Sequence, residues 1–235
     1  MKIKLSRIIS LLVAVLLLSV GSFSWAQSSA VIDKTYSEVY HTRQATVAEV
    51  GYCSATAIGP LALLTATHCE LGTDEIVLQG KDGASDVDLK IERVVRDNYD
   101  HTIMYVSPIA LAGYVFPAFA SVDLAHKFGR GEDVCLIGNP HGFSNIFRKG
   151  YVSGSTLCDG LNQESIPEIL IDVNVGEGDS GAGIFDSNGV LIGVVTGIEV
   201  HGAADESTAY KMPYALVLNF TPGQIQEAAS YGVKK

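Results

Sequence analysis

Between residues 45 and 220, short runs of apolar and β-branched residues alternate with clusters of Gly, Asn, Asp and Pro. That alternation is the signature of strands separated by turns. Strands are predicted over 45–50, 53–58, 62–65, 75–78, 89–95, 102–106, 134–138, 148–156, 169–173, 183–185, 191–196 and 214–219. Two stretches read as hairpins. Residues 184–196 carry Ser187-Asn188-Gly189 between apolar runs, and residues 78–89 carry Lys81-Asp82-Gly83 in the same way. Helical signals are few. One is a short turn near 66–70. The other starts at Thr221, where Thr221-Pro222-Gly223-Gln224 has the composition of a capping box, with Ile225, Ala228, Ala229 and Val233 as a narrow apolar face. Residues 27–44 carry little pattern and read as an extended, partly mobile arm. Residues 118–132 have few strand signals and read as a link between two halves. The chain is therefore expected to be all-β, a sandwich or barrels, with a short C-terminal helix.

The longest apolar run lies at the N-terminus. Lys2, Lys4 and Arg7 precede the 13-residue stretch Ile8–Val20, and the small residues Ser24 and Ala26 follow. This order reads as a secretory signal peptide over residues 1–26, cleaved before Gln27. The run is too short for an ordinary membrane span, although an uncleaved anchor is the competing reading. Without the leader, 209 residues remain, carrying 13 basic and 26 acidic side chains, a balance of about −13. Such a surface repels nucleic acid and anionic membranes, so neither is expected as a partner. The expected location is secreted or periplasmic. Four cysteines, at 53, 69, 135 and 158, suit disulfides in an exported protein. They are separated by 15, 65 and 22 residues, with no close pair of the kind that holds zinc. Spacing alone leaves three pairings open. No metal or cofactor is expected.

Three segments carry candidate chemistry: AIGPLALLTATHC (57–69), VVRDNYDHTIMYV (94–106) and VGEGDSGAGIFDSNGVLIGVVTG (175–197). In Thr65-Ala66-Thr67-His68-Cys69 and Gly178-Asp179-Ser180-Gly181 the chain resembles the chymotrypsin/trypsin family of serine peptidases. The likeness runs from about residue 45 to the C-terminus. Gly-Asp-Ser-Gly by itself is built of ordinary turn residues. Its occurrence after a His-Cys pair and an acid, in the order His, Asp, Ser, is what carries the likeness. Ile137-Gly138-Asn139-Pro140-His141-Gly142 and Gly150-Tyr151-Val152-Ser153-Gly154 look like the bacterial trypsin-like and glutamyl-endopeptidase branches.

The resemblance implies two packed six-stranded antiparallel barrels, at about 45–117 and 130–220, and a helix at about 222–231. It implies a triad of His68, Asp100 and Ser180. A hydroxyl is a poor nucleophile without a base, and an imidazole titrates close to neutrality. An acid would then orient the imidazole, and the N–H groups of Gly178 and Ser180 would form the oxyanion hole. Asp97 competes with Asp100 but precedes Asn98 and reads as a turn residue. His41, His101, His126, His141 and His201 lack the strand-then-Cys setting and read as surface or loop residues.

The resemblance also implies a Cys53–Cys69 bridge, which leaves Cys135 and Cys158 to pair through a hairpin at 139–150. Asn174 would lie at the base of the specificity pocket, with Thr196, Gly197 and Ile198 on its wall and Met212 nearby. A neutral or apolar substrate side chain would fit there.

Animal members have Gly-Pro after the Gly-Asp-Ser-Gly where this chain has Ala182-Gly183. Many members also free an amine that pairs with the acid before the nucleophile, through an Ile-Val-Gly-Gly cleavage site. None occurs here. Either an amine freed at Gln27 fills that role, or Asp179 is satisfied internally. The expected activity is endoproteolysis of polypeptides through an acyl-enzyme. A trypsin-like binding protein without turnover and a small-substrate esterase are the alternatives.

Overall fold

The computed structural model describes residues 32–44, 52–69, 74–82, 84–159, 165–201 and 210–233. A helical stretch at 32–38 (α1) leads into β1 (Val39–Gln44). Then come β2 (Tyr52–Gly59), β3 (Ala62–Ala66), a 3-10 turn at Thr67–Cys69, β4 (Glu75–Leu78), β5 (Val87–Arg96) and β6 (His101–Pro108). After the linker follow β7 (Asp133–Gly138), β8 (Ile146–Asp159), β9 (Ser165–Asp172), β10 (Gly183–Phe185), β11 (Leu191–His201), β12 (Tyr210–Leu216) and α2 (Pro222–Ser230). The strands close into two antiparallel barrels, β1-β2-β3-β6-β5-β4 and β10-β11-β12-β9-β8-β7. This is the two-barrel, chymotrypsin-like fold expected above.

Each barrel has its own apolar interior, and a third cluster cements the two together. Ala55, Leu63, Leu78, Leu89, Met104 and Val106 fill the first barrel. Val134, Leu136, Val152, Ile171, Ile184 and Val195 fill the second. Between them lie Leu64, Ile103 and Tyr105 from the first, Ile137, Phe185 and Val194 from the second, and Phe220 and Ala228 from the C-terminal segment. β6 is buried on both faces over His101–Val106, because one face lines its barrel and the other meets its neighbour. Helix α2 is capped as its sequence predicts: the Thr221 side chain accepts from the Gln224 N–H, and Gln224 returns a bond to the Thr221 N–H. It can lie close on β2 because Gly59 leaves room for the backbone of Ala228.

Two expectations need correction here. The stretch read as an arm is structured over 32–44. Its second half, β1, pairs with β2 (Thr42 opposite Cys53) and with β4 (Thr42 opposite Leu78), so the first barrel begins at Val39 and not near 45. The β4 partner is distant in sequence, and the strand's own pattern is short, which hid it. The Cys135–Cys158 bridge is also absent: Cys135 is a free, buried thiol. The β7–β8 hairpin forms, but its register sets Lys149 opposite Cys135 and Ile166 opposite Cys158. Nine residues of strand, roughly 30 Å, separate Lys149 from Cys158, whereas a disulfide needs Cα atoms less than about 7 Å apart. Burial pushes the Cys135 thiol up to about 12. The leader at 1–26 and the strand read at 45–50 lie outside the described residues. The remaining predicted strands all overlap observed ones, although the strand read at 214–219 is found at Tyr210–Leu216, and both hairpins form.

Candidate active site

His68 and Asp100 meet because of a strand register. Ala66, the last residue of β3, pairs with His101, the first residue of β6. The turn leaving β3 and the residue entering β6 therefore emerge side by side. His68 sits in the 3-10 turn, and its Nδ1 is 2.7 Å from Asp100 Oδ2. The other carboxylate oxygen accepts the backbone N–H of His68 at 3.0 Å, and the Asp100 carbonyl accepts that of Thr67 at 2.8 Å. The acid thus holds both the ring and the backbone of the histidine. The bond to Asp100 raises the His68 pKa; partial burial works against it and the Asp100 charge works with it. The imidazole remains 46% exposed, so it is open to a reactant.

Asp100 takes a left-handed backbone, φ 70°, unusual for a residue with a side chain. The turn around it is organised by Asp97. One Asp97 oxygen accepts the N–H groups of Tyr99 and His101, the turn role expected of it. The other accepts the N–H of Asn219 from the C-terminal segment and lies 2.6 Å from His101 Nδ1. Both side chains of this second pair are fully buried. Burial pushes the Asp97 carboxyl up, but His101 and the N–H donors outweigh it and hold the acid below its usual range. His101 is accordingly a core residue, not the surface or loop residue expected. Its spacing from Asp97, four residues across a turn, was the available signal.

Ser180 stands in the loop between β9 and β10, which packs against the first barrel. Its carbonyl accepts the N–H of Ser54 on β2 at 2.8 Å and lies 3.6 Å from Cys69 Sγ. Cys53 and Cys69, the neighbours of Ser54 and His68, form the expected disulfide, with Cα atoms 6.1 Å apart. So the residues next to His68 and the backbone of Ser180 are in contact. The loop needs its glycines: Gly178 (φ 97°) and Gly181 (φ 84°) are left-handed, and a side chain on either would strike the Asn139 or Ser54 carbonyl. Among the described residues, no protein acceptor takes the N–H of Gly178 or of Ser180.

Asp179 points away from this surface and is satisfied internally. Arg148 from β8 grips it with two bonds of 2.6 Å, and the Gly176 N–H adds a third at 2.8 Å. The carboxylate is 1% exposed. Arg148 also donates to the carbonyl of Asn174 at 2.7 Å, the residue expected at the base of the pocket. β11 runs beside the loop, with the Gly181 N–H on the Val195 carbonyl at 2.9 Å, and so brings Thr196 and Gly197 next to it; Thr196 is buried. Ile198 follows in β11 opposite Pro213, while Met212 lies one pair further, opposite Glu199. The side chains of Ile198 and Met212 lie outside those described. The roles of Ser54, Asn139 and Arg148 were not visible in the sequence, since their partners come from other strands. No group of three metal-ligating side chains occurs among the described residues.

A family model described as a trypsin-like peptidase domain matches residues 53–194, which takes in every candidate above except Thr196, Gly197, Ile198 and Met212. The chain belongs to this family. A probable periplasmic serine endoprotease, DegP-like, from Pseudomonas putida is 28% identical over 159 residues, 67% of this chain and 31% of that one. A probable periplasmic serine protease, do/HhoA-like, from Haemophilus influenzae is 31% identical over 160 residues, 64% of this chain and 31% of its own length. The chain thus spans about a third of the length of these curated relatives. Among solved structures it is similar to the HtrA-type protease AlgW with a tripeptide (TM-score 0.65, 24% identity, 87% of this chain and 64% of that one). It is also similar to the active form of the Rv3671c protease from M. tuberculosis (TM-score 0.64, 20% identity, 87% and 85% covered). These two likenesses concern the fold.

Proposed function

We propose that this chain is an exported serine endopeptidase that cleaves polypeptides through an acyl-enzyme. The observation that carries the reading is the 2.7 Å bond between His68 Nδ1 and Asp100 Oδ2, made beside the loop that bears Ser180. With Nδ1–H given to the acid, the other ring nitrogen is left as an acceptor. It takes the Ser180 proton as Oγ bonds to the scissile carbonyl carbon. The carbonyl oxygen becomes an anion, received by the N–H groups of Gly178 and Ser180. Collapse breaks the C–N bond, and the imidazolium returns its proton to the leaving amine. Water then repeats the cycle on the ester, releasing the acid and restoring Ser180. The relatives' names, serine protease and endoprotease, support this chemistry, and the word periplasmic in them supports export.

The substrate is a polypeptide, with a neutral or apolar side chain before the scissile bond, because Asn174 brings no charge to the pocket base. Neither nucleic acid nor a membrane is a stable partner of so acidic a chain. The test is fluorophosphonate labelling followed by digestion of casein and a peptide library. Wild type should label and cleave after neutral residues, while Ser180→Ala should do neither. Labelling that persists in Ser180→Ala, or folded wild type that neither labels nor cleaves, would overturn the proposal.

A further inference from the structure

We infer that Ser54 is a positioning residue for the nucleophile loop, acting as the end of a hydrogen-bond relay that starts at Asn145 and holds the loop in its working shape. The inference rests on the serine-peptidase reading and deepens it.

The relay has a fixed direction. The Asn145 N–H donates to Asn139 Oδ1 at 2.8 Å, which orients the Asn139 amide. Its Nδ2 then faces Ser54 Oγ at 2.7 Å, and an amide nitrogen can only donate. The one hydroxyl proton of Ser54 is therefore free to go to a single acceptor, the carbonyl of Gly178, 2.9 Å away. The backbone N–H of the same Ser54 holds the Ser180 carbonyl. One residue of the first barrel thus pins two carbonyls of the loop in the second. Ser54 is itself anchored, its own carbonyl accepting Thr65 Oγ1 at 2.8 Å. Ser54 and Asn139 are fully buried.

The consequence follows from peptide geometry. In a trans peptide the C=O and the N–H point in opposite directions. The Glu177 carbonyl is held by the His141 N–H at 2.6 Å, so the Gly178 N–H points the other way. The Gly178 carbonyl is held by Ser54, and the Asp179 N–H turns back to the Gly176 carbonyl at 3.0 Å. The Asp179 carbonyl is held by the Ala182 N–H at 2.8 Å, which turns the Ser180 N–H the other way. Among the described residues, the N–H groups of Gly178 and Ser180 remain unclaimed. Glycine has no conformational preference of its own at φ 97°, so the loop must be held from outside. Removing the Ser54 hydroxyl would orphan two buried polar groups, the Gly178 carbonyl and Asn139 Nδ2, and a loop that turns to satisfy them loses its geometry.

The experiment compares wild type, Ser54→Ala, Asn139→Ala and the double variant on a chromogenic peptide. Affinities for a peptide aldehyde, which forms a tetrahedral adduct, and for the plain product peptide are read beside the kinetics. Ser54→Ala should lower kcat by roughly tenfold or more, short of the hundredfold or greater loss seen when an oxyanion donor is deleted. KM should stay within about twofold. Aldehyde affinity should fall with kcat, while product-peptide affinity holds and the melting temperature, lowered by the two orphaned groups, stays well above the assay temperature. Asn139→Ala should move the same quantities in the same direction, and the double variant should cost no more than Ser54→Ala, as members of one relay do.

Wild-type kcat in Ser54→Ala would overturn the inference. So would equal losses of aldehyde and product-peptide affinity, since those mark general damage. If Ser54→Ala does not fold, Asn139→Ala decides on the same readouts. Ser180→Ala is the control: activity surviving there sinks the enzymatic reading, whereas its loss beside an unaffected Ser54→Ala sinks only the relay.

Discussion

In the proposed mechanism His68 is a base only while its ring is neutral, and its bond to Asp100 raises its pKa above the ordinary 6.5. Below that raised pKa the ring is protonated and cannot accept the Ser180 proton. The acid limb of kcat/KM should therefore fall above pH 6.5. Asp100→Asn removes the bond that raises the pKa, so the limb should move to lower pH, with kcat reduced by roughly four orders of magnitude. A pH–rate series on both proteins checks this, and an unmoved limb would show that His68 is not the titrating base. The same residue scale explains why Asp100 and not Asp97 meets His68. Asp97 is already occupied by three N–H groups and a buried ring, and those bonds set the turn that swings Asp100 outward in its left-handed conformation.

At the scale of elements, the β2–β3 hairpin and the turn after it are clipped by Cys53–Cys69. The clip closes a loop of 16 residues and joins the strand that carries Ser54 to the turn that carries His68. In the chain-entropy account a loop of this length adds about 3 kcal/mol. Replacing both cysteines by serine should lower stability by about that amount in urea titrations, with a steeper denaturant slope because the unclipped denatured chain exposes more surface. A loss well under 1 kcal/mol would mean that the hairpin needs no clip. Elements were also where the sequence was most legible. Ser187-Asn188-Gly189 make the β10–β11 turn that their types announce, and the structure adds Asp186, whose Oδ1 accepts the Asn188 and Val190 N–H groups. Thr221 and Gln224 cap α2 as read. β1 was missed because Val39 and Tyr40 are its only buried apolar residues and its partners are β2 and β4.

Over the whole molecule, the two barrels meet at one surface, and the site lies across it. The first supplies His68, Asp100 and Ser54; the second supplies Ser180 and the loop that Arg148 steadies from below. Because Arg148 already fills the pocket of Asp179, no amine from the N-terminus is needed there. A chain extended by a short tag ahead of Gln27 should keep full activity, while Arg148→Met should lose most of it. Leaving a buried carboxylate unpaired is severely destabilising, so the loss should come with a lower melting temperature. Activity that appears only after the tag is removed would point to the N-terminus instead.

What the sequence determined by itself is what short range controls: the strand and turn periods, the α2 cap, and the side chains able to attack, take up a proton and orient. Tertiary structure alone decided which of these meet. Asp179 received Arg148, Cys135 received no sulfur, and Ser54 came to hold a loop 124 residues away. Pattern along a strand reports which face is buried. The register of barrel closure, which sets partners across the sheet and between barrels, leaves no mark within any one segment.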